Sequence, residues 1–155
     1  MEFRHRERRQ GVRKEGRWAP GCHRSLHGAG RVGKADDAYN EGTQLLNVGK
    51  AREAIPHFDQ AIRLNPRYAE AYTNLGIAWR EMGDLSGAIT HFDKATELNP
   101  KYTRAYGDRD ITRLLQGKDA EARQDFARCF DLDPGMRTVF ESLIEKARAK
   151  HAGKP

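Results

Sequence analysis

The feature that most narrows what this chain can fold into is a motif written three times at a fixed interval. Ala54-Ile55-Pro56-His57-Phe58-Asp59-Gln60-Ala61, closing on Leu64-Asn65-Pro66, returns as Ala88-Ile89-Thr90-His91-Phe92-Asp93-Lys94-Ala95, closing on Leu98-Asn99-Pro100. A worn copy runs Ala122-Arg123-Gln124-Asp125-Phe126-Ala127-Arg128-Cys129 and closes on Leu132-Asp133-Pro134. Prolines at 66, 100 and 134 and phenylalanines at 58, 92 and 126 share one 34-residue step. A period of that size marks a solenoid, in which each unit buries its apolar face only against its neighbours.

Within a unit the apolar spacing is helical. Ala71, Tyr72, Leu75, Ala78, Trp79 and Met82 recur at three- and four-residue steps, Gly83-Asp84 interrupts them, and Leu85, Ala88, Ile89, Phe92, Ala95 and Leu98 form a second stripe. Asn99-Pro100 ends it, because the residue before a proline is pushed out of helical angles. Gly49-Lys50 and Gly117-Lys118 make the equivalent turns in the other units. Each unit is therefore expected to be a helical hairpin. Pro56 falls early in its helix, where a missing N–H costs little.

These residues resemble the tetratricopeptide repeat family. The matching positions are Ala38, Tyr72 and Tyr106; Gly42 and Gly76; Leu45 and Trp79; Ala54, Ala88 and Ala122; Phe58, Phe92 and Phe126; Ala61 and Ala95; and the three prolines. The resemblance implies an all-α, right-handed superhelical solenoid of three antiparallel helix pairs, with repeats at 35–68, 69–102 and 103–136. Small residues at Gly42, Gly76, Ala54 and Ala88 would let paired helices approach closely. Phe58 and Phe92 would fill the space between successive hairpins, each burial contributing about 1.5–3 kcal/mol. The third unit departs from the pattern: Asp110 stands for the close-packing glycine, Arg109 for leucine, and Arg113 where Trp79 stood. As a terminal unit it is expected to be loosened, these charges finding ion-pair partners or water, with a polar pocket for a partner as the alternative. A seventh, capping helix is expected over 137–150, its stripe Val139, Phe140, Leu143, Ile144 and Ala147 covering the open end. Residues 151–155 are expected to fray.

Charge divides the chain sharply. Residues 1–34 carry ten Lys or Arg against three Glu, a net +7, whereas the remainder is near −1. That segment is rich in arginine and glycine and has no apolar period, so it is expected to be a disordered tail. It holds two motif-like stretches. Gly28-Ala29-Gly30-Arg31-Val32-Gly33-Lys34 satisfies a phosphate-loop spacing, but Ala35 takes the hydroxyl position and no apolar strand precedes it. Cys22, His23 and His27 fall short of a closed zinc shell. His57 and His91 occupy matching places with Asp125 in the third, which reads as a solvated helix face. Cys129 fills the slot of Ala61 and Ala95, so a buried thiol is expected there. No metal and no cofactor is expected.

The expected function is a non-catalytic protein-interaction scaffold. The first helix of each pair lines the concave side of such a stack. Its inward set should comprise Tyr39, Asn40 and Thr43; Thr73, Asn74, Ile77 and Arg80; and Arg104, Asp108 and Ile111. Asn side chains, offering donors and an acceptor, could hold a partner's peptide backbone. In the subset of the family that grips the free carboxylate of chaperone tails, the gripping positions fall here on Tyr39, Thr43, Asn74, Arg104 and Asp108. Only Asn74 matches, Arg104 is a basic substitute, and Asp108 would repel a carboxylate, so the expected partner is a peptide or helix of another protein and not a chaperone tail. An alternative function is tethering to nucleic acid or an anionic surface through the arginine tail, with strong salt dependence; nucleotide binding at Gly28–Lys34 is a remote third. Nucleic acid is not the favoured partner. No apolar run is long enough to span a membrane, and without a secretory h-region the cytoplasm is the expected compartment, with export as the alternative if the true start differs.

Overall fold

The computed structural model describes residues 26–152, and among them it contains seven helices and no strand. They are α1 (Leu26–Asn47), α2 (Ala51–Leu64), α3 (Ala69–Glu81), α4 (Leu85–Leu98), α5 (Thr103–Leu115), α6 (Asp119–Leu132) and α7 (Met136–Ala152). Consecutive helices pair as three antiparallel hairpins, α1–α2, α3–α4 and α5–α6, stacked into a right-handed solenoid with α7 at its end.

Two turn designs alternate, and each follows from one residue type. Inside the hairpins the chain reverses at Gly49, Gly83 and Gly117, with φ of 77°, 90° and 80°, a left-handed conformation that a Cβ would strain. In each case the next residue's N–H bonds back to the carbonyl five residues earlier, as in Asp84 N to Trp79 O at 3.0 Å, which closes the helix end. Between hairpins the turn is made by Asn65, Asn99 and Asp133. Each takes an extended backbone ahead of its proline. Each side-chain Oδ1 then accepts from the N–H two residues on, at 3.2, 3.1 and 2.9 Å. The third copy can use Asp because the turn needs only an acceptor oxygen.

Packing inside a hairpin rests on an aromatic ring laid over a glycine. A Cβ added at Gly42 would stand 2.8 Å from the Phe58 ring, and one at Gly76 would stand 2.7 Å from Phe92, so only glycine admits either ring. Both phenylalanines are fully buried, and Phe58 also meets Leu75 of the next hairpin. The ring thus closes its own hairpin as well as the step to the next one.

Two boundaries differ from the sequence expectation, as does the place of Pro56 in its helix. Helix α1 begins at Leu26, inside the stretch read as tail, so the tail boundary at residue 34 is too late. The Gly28–Lys34 stretch lies within this helix, which removes the strand-to-helix turn that a phosphate loop requires. At the other end α7 runs to Ala152, past the expected limit of 150. Pro56 is the sixth residue of α2, beyond the first turn, and it is tolerated on an exposed face where water can reach the carbonyl it leaves free.

The terminal helix also packs differently from its predecessors. Helices α3 and α5 each lean chiefly on the second helix of the preceding hairpin, whereas α7 leans on α5 and meets α6 only lightly. Its Phe140 takes over the ring-on-glycine contact: a Cβ at Gly107 of α5 would fall 2.3 Å from the Phe140 ring. With Asp110 in the usual glycine position, Phe126 turns to Phe130 and Phe140, at ring-centroid distances of 5.8 and 6.4 Å.

Candidate functional site: the concave groove

On the inner face of α1, α3 and α5 lies an open cavity of about 500 Å³. Tyr39 and Thr43 of α1, Asn74 and Ile77 of α3, and Arg104 of α5 converge on it. The sequence reading missed Leu46, Asn47 and Glu81, which complete its wall. All three lie one helical turn beyond a named residue (three to four positions after Thr43 or Ile77), and extending the same face would have found them.

Asn74 is the hub of this wall. It is 5% exposed, and its Nδ2 donates to Tyr39 Oη at 3.2 Å and to Thr43 Oγ1 at 3.1 Å. Thr43 Oγ1 in turn donates to the Tyr39 carbonyl at 2.8 Å. The expectation that both donors of Asn74 await a guest therefore needs correction. Its N–H groups are spent on tying α3 to α1, which leaves the Asn74 carbonyl oxygen as an acceptor and the Tyr39 O–H as a donor for a guest.

The remaining expected residues divide. Thr73 is fully buried and returns its hydroxyl to the Ala69 carbonyl at 3.1 Å, so it belongs to the interior. Asn40 is exposed and lies outside the cavity wall. Ile111 and Arg80 line a smaller cavity of about 220 Å³ further along the inner face, with Leu115 of α5 and Leu143, Lys146 and Ala147 of α7. Arg80 and Asp108 join the two cavities. Arg80 Nη1 meets Asp108 Oδ1 at 3.0 Å and the Asp108 carbonyl at 3.3 Å, while Arg104 Nε stands 3.5 Å from Asp108 Oδ2.

This geometry overturns the ground for excluding a carboxylate guest. Asp108 is 5% exposed and held between two guanidinium groups, so an incoming carboxylate would meet Arg104, which is half exposed, and not a free Asp108. The same corner holds Tyr102, whose phenol is pushed up to about 12, chiefly by burial, and stays a neutral donor across the physiological range.

Behind the wall the charges of the third unit form a network between α4, α5 and α6, buried at Asp110 and reaching solvent at Asp93 and Glu121. Arg109 Nη1 bonds Asp93 Oδ1 at 2.7 Å and Thr96 Oγ1 at 3.3 Å, and its Nε bonds Asp125 Oδ2 at 2.6 Å. Arg113 bonds the same Asp125 oxygen and lies 3.8 Å from Asp110 Oδ1 and from Glu121 Oε2. Asp110 is fully buried with neither oxygen hydrogen-bonded. Burial first, and the neighbouring Asp125 second, raise its pKa to about 10. Two guanidinium groups serve four carboxylates here, so the most buried acid keeps its proton. The two arginines find the partners expected of them, whereas Asp110 has only Arg113 at 3.8 Å, beyond hydrogen-bonding distance. None of its members lines the groove cavity.

Other residues singled out in the sequence have modest surroundings. His57 Nδ1 lies 3.0 Å from Glu41 Oε2, and His91 stacks on Trp79 at 6.4 Å. Cys129 is a free, buried thiol pushed up to about 11 by that burial. Cys22 and His23 lie outside the described residues. Among the described residues, no helix is long and apolar enough to cross a membrane.

The tetratricopeptide repeat family profile matches residues 39–103. An uncharacterised protein of Methanocaldococcus jannaschii is 36% identical over 52 residues, 34% of this chain, and the match spans only 60% of that relative's length. Among solved structures, the first repeat domain of Spaghetti (RPAP3), bound to the HSP90 peptide SRMEEVD, superposes with a TM-score of 0.67 at 28% identity. That likeness covers 76% of this chain and 95% of the other. The repeat domain of Arabidopsis OM64 gives a TM-score of 0.69 at 25% identity, covering 78% and 98%. With the 34-residue period, the paired helices and the ring-on-glycine seats of Phe58 and Phe92, these likenesses lead to one conclusion: residues 39–103 match the tetratricopeptide repeat family, and the seven helices have the fold of a tandem tetratricopeptide-repeat solenoid.

Proposed function

We propose that this protein is a non-catalytic interaction scaffold whose concave groove, walled by α1, α3 and α5, holds an extended segment of a partner protein. The observation that carries the reading is the cavity of about 500 Å³ in which Asn74, Tyr39 and Thr43 are already cross-linked by hydrogen bonds beside the half-exposed Arg104. A wall whose polar groups are fixed before the guest arrives loses less ordering entropy on binding. Arg104 adds a cation at one end, suited to an acidic side chain or a terminal carboxylate. The likeness to a domain that holds SRMEEVD in its own structure supports a peptide as the guest.

The test is selection from an arrayed peptide library by the purified full chain, with SRMEEVD as a defined member, followed by calorimetric titration. Peptides binding with a Kd of about 1–50 µM are expected. Binding should weaken at least ~10-fold in the Asn74→Ala/Arg104→Ala variant. Failure to enrich any peptide, or enrichment indifferent to that double substitution, would refute the reading.

A further inference from the structure

Because α7 leans on α5 and touches α6 only lightly, a second cleft of about 450 Å³ opens between α6 and α7, at the end of the stack and apart from the concave groove. Phe126 and Phe130 of α6 and Ile144 of α7 line its apolar part. At its rim stand Arg123, Arg137 and Arg148, all exposed, and none forms an ion pair among the described residues. Arg137 lies over the Phe130 ring, 4.7 Å from its centroid, which holds the guanidinium at the cleft mouth with its N–H edge free. Two of these features are special to the third unit. Arg123 stands where the earlier units have Ile55 and Ile89, and Phe130 stands where they have Ile62 and Thr96.

We infer that this cleft is a second docking surface, taking an acidic segment of a partner protein that carries large apolar side chains. Apolar side chains would cover Phe130 and Ile144, while the segment's carboxylates pair with Arg123, Arg137 and Arg148. Planar guanidinium groups suit carboxylates because they can donate two parallel hydrogen bonds. Glu141 and Glu145 share the rim and repel a continuous polyanion, which favours a mixed acidic and apolar polypeptide over nucleic acid. The walls run seven residue steps along α6, from 123 to 130, and eleven along α7, from 137 to 148, about 10 and 16 Å of helix, enough for two to three turns of a docked helix. This surface does not depend on the groove reading.

The probe is a fluorescein-labelled synthetic peptide of about four helical turns, rich in Glu, with Leu at three- and four-residue spacing. It is titrated against the full chain by fluorescence anisotropy. Binding with a Kd of roughly 10 µM is expected. It should weaken at least ~10-fold in Arg123→Glu/Arg137→Glu and in Phe130→Ala, and stay unchanged in Asn74→Ala/Arg104→Ala. Circular dichroism checks that each variant is folded; both arginines are exposed, so their reversal decides the matter even if Phe130→Ala loosens α7. The inference is overturned by any of four results: no binding, equal binding of a leucine-free glutamate peptide, equal binding of a DNA duplex, or sensitivity to the groove variant in place of the cleft variants.

Discussion

Replacing Asp110 by Asn should make this protein more stable, and by an amount that grows with pH. The carboxyl is fully buried without a hydrogen-bonding partner, and its pKa stands at about 10 against an ordinary 3.8. Below pH 3.8 the group is neutral both folded and unfolded and has no effect on stability. Above it the unfolded chain ionises while the folded chain must keep the proton, so stability falls by about 1.4 kcal/mol per pH unit until the folded group titrates. At pH 7 the cumulative loss is about 4 kcal/mol, and water entry around the group would reduce it to roughly 2 kcal/mol. Asn keeps the shape, cannot ionise, and can donate an N–H towards Asp125. The charges facing the site are Asp125 and Glu121 from α6, Arg109 and Arg113 from α5, and Asp93 from α4, all unchanged by the substitution. Urea melts of the two proteins from about pH 5 to 8.5, followed by far-ultraviolet circular dichroism, give the difference directly. A gap that widens with pH supports the reasoning. Parallel profiles, or a variant weaker at every pH, would mean that Asp110 is ionised and paired with Arg113, and the argument would be refuted.

Other substitutions probe separate parts of the structure. Gly76→Ala drives a methyl to 2.7 Å from the Phe92 ring and should cost about 1–3 kcal/mol in a chemical melt, whereas Gly30→Ala, with nothing within 4 Å, should be neutral or stabilising. Arg109→Ala leaves Asp125 to Arg113 alone and the half-exposed Asp93 to water, and should cost about 1–3 kcal/mol; a loss below ~0.5 kcal/mol would show that water replaces the guanidinium freely. Burial lowers the pKa of His91, so the folded state resists its protonation and stability should fall as the pH drops below the ordinary histidine value of about 6.5. Melts at about pH 7.5 and 5 should show a larger acid loss for wild type than for His91→Gln, and equal losses would count against it.

Much of the architecture could be read from the residues because each landmark does a local job that a sequence displays. Pro66, Pro100 and Pro134 end helices by fixed backbone geometry, and Phe58 and Phe92 need Gly42 and Gly76 beneath them, so spacing alone betrays the hairpins. The start of α1 was hidden because Leu26–Lys34 has no apolar stripe and is rich in glycine, which leaves no period to detect. The seat of Phe140 on Gly107 was missed although Phe140 stands one full period after Tyr106 and two after Tyr72. The same step gives the capping helix α7 the sequence register of a first helix. In the groove, Tyr39, Thr43, Asn74, Ile77 and Arg104, which share one helical register, line a single cavity. It could not reveal that Thr73 bonds its own helix or that Arg80 neutralises Asp108, since side-chain partners depend on distances that register does not contain.

The lean of α7 towards α5 also sets a limit on redesign. Idealised hairpins grafted after Ala152 would inherit a changed stacking course, because their starting helix packs on α5 where α3 and α5 pack on the second helix of the hairpin before them. A longer rod with even curvature would first require Gly107 and Phe140 to be re-engineered so that the terminal helix returns to the shelf above α6.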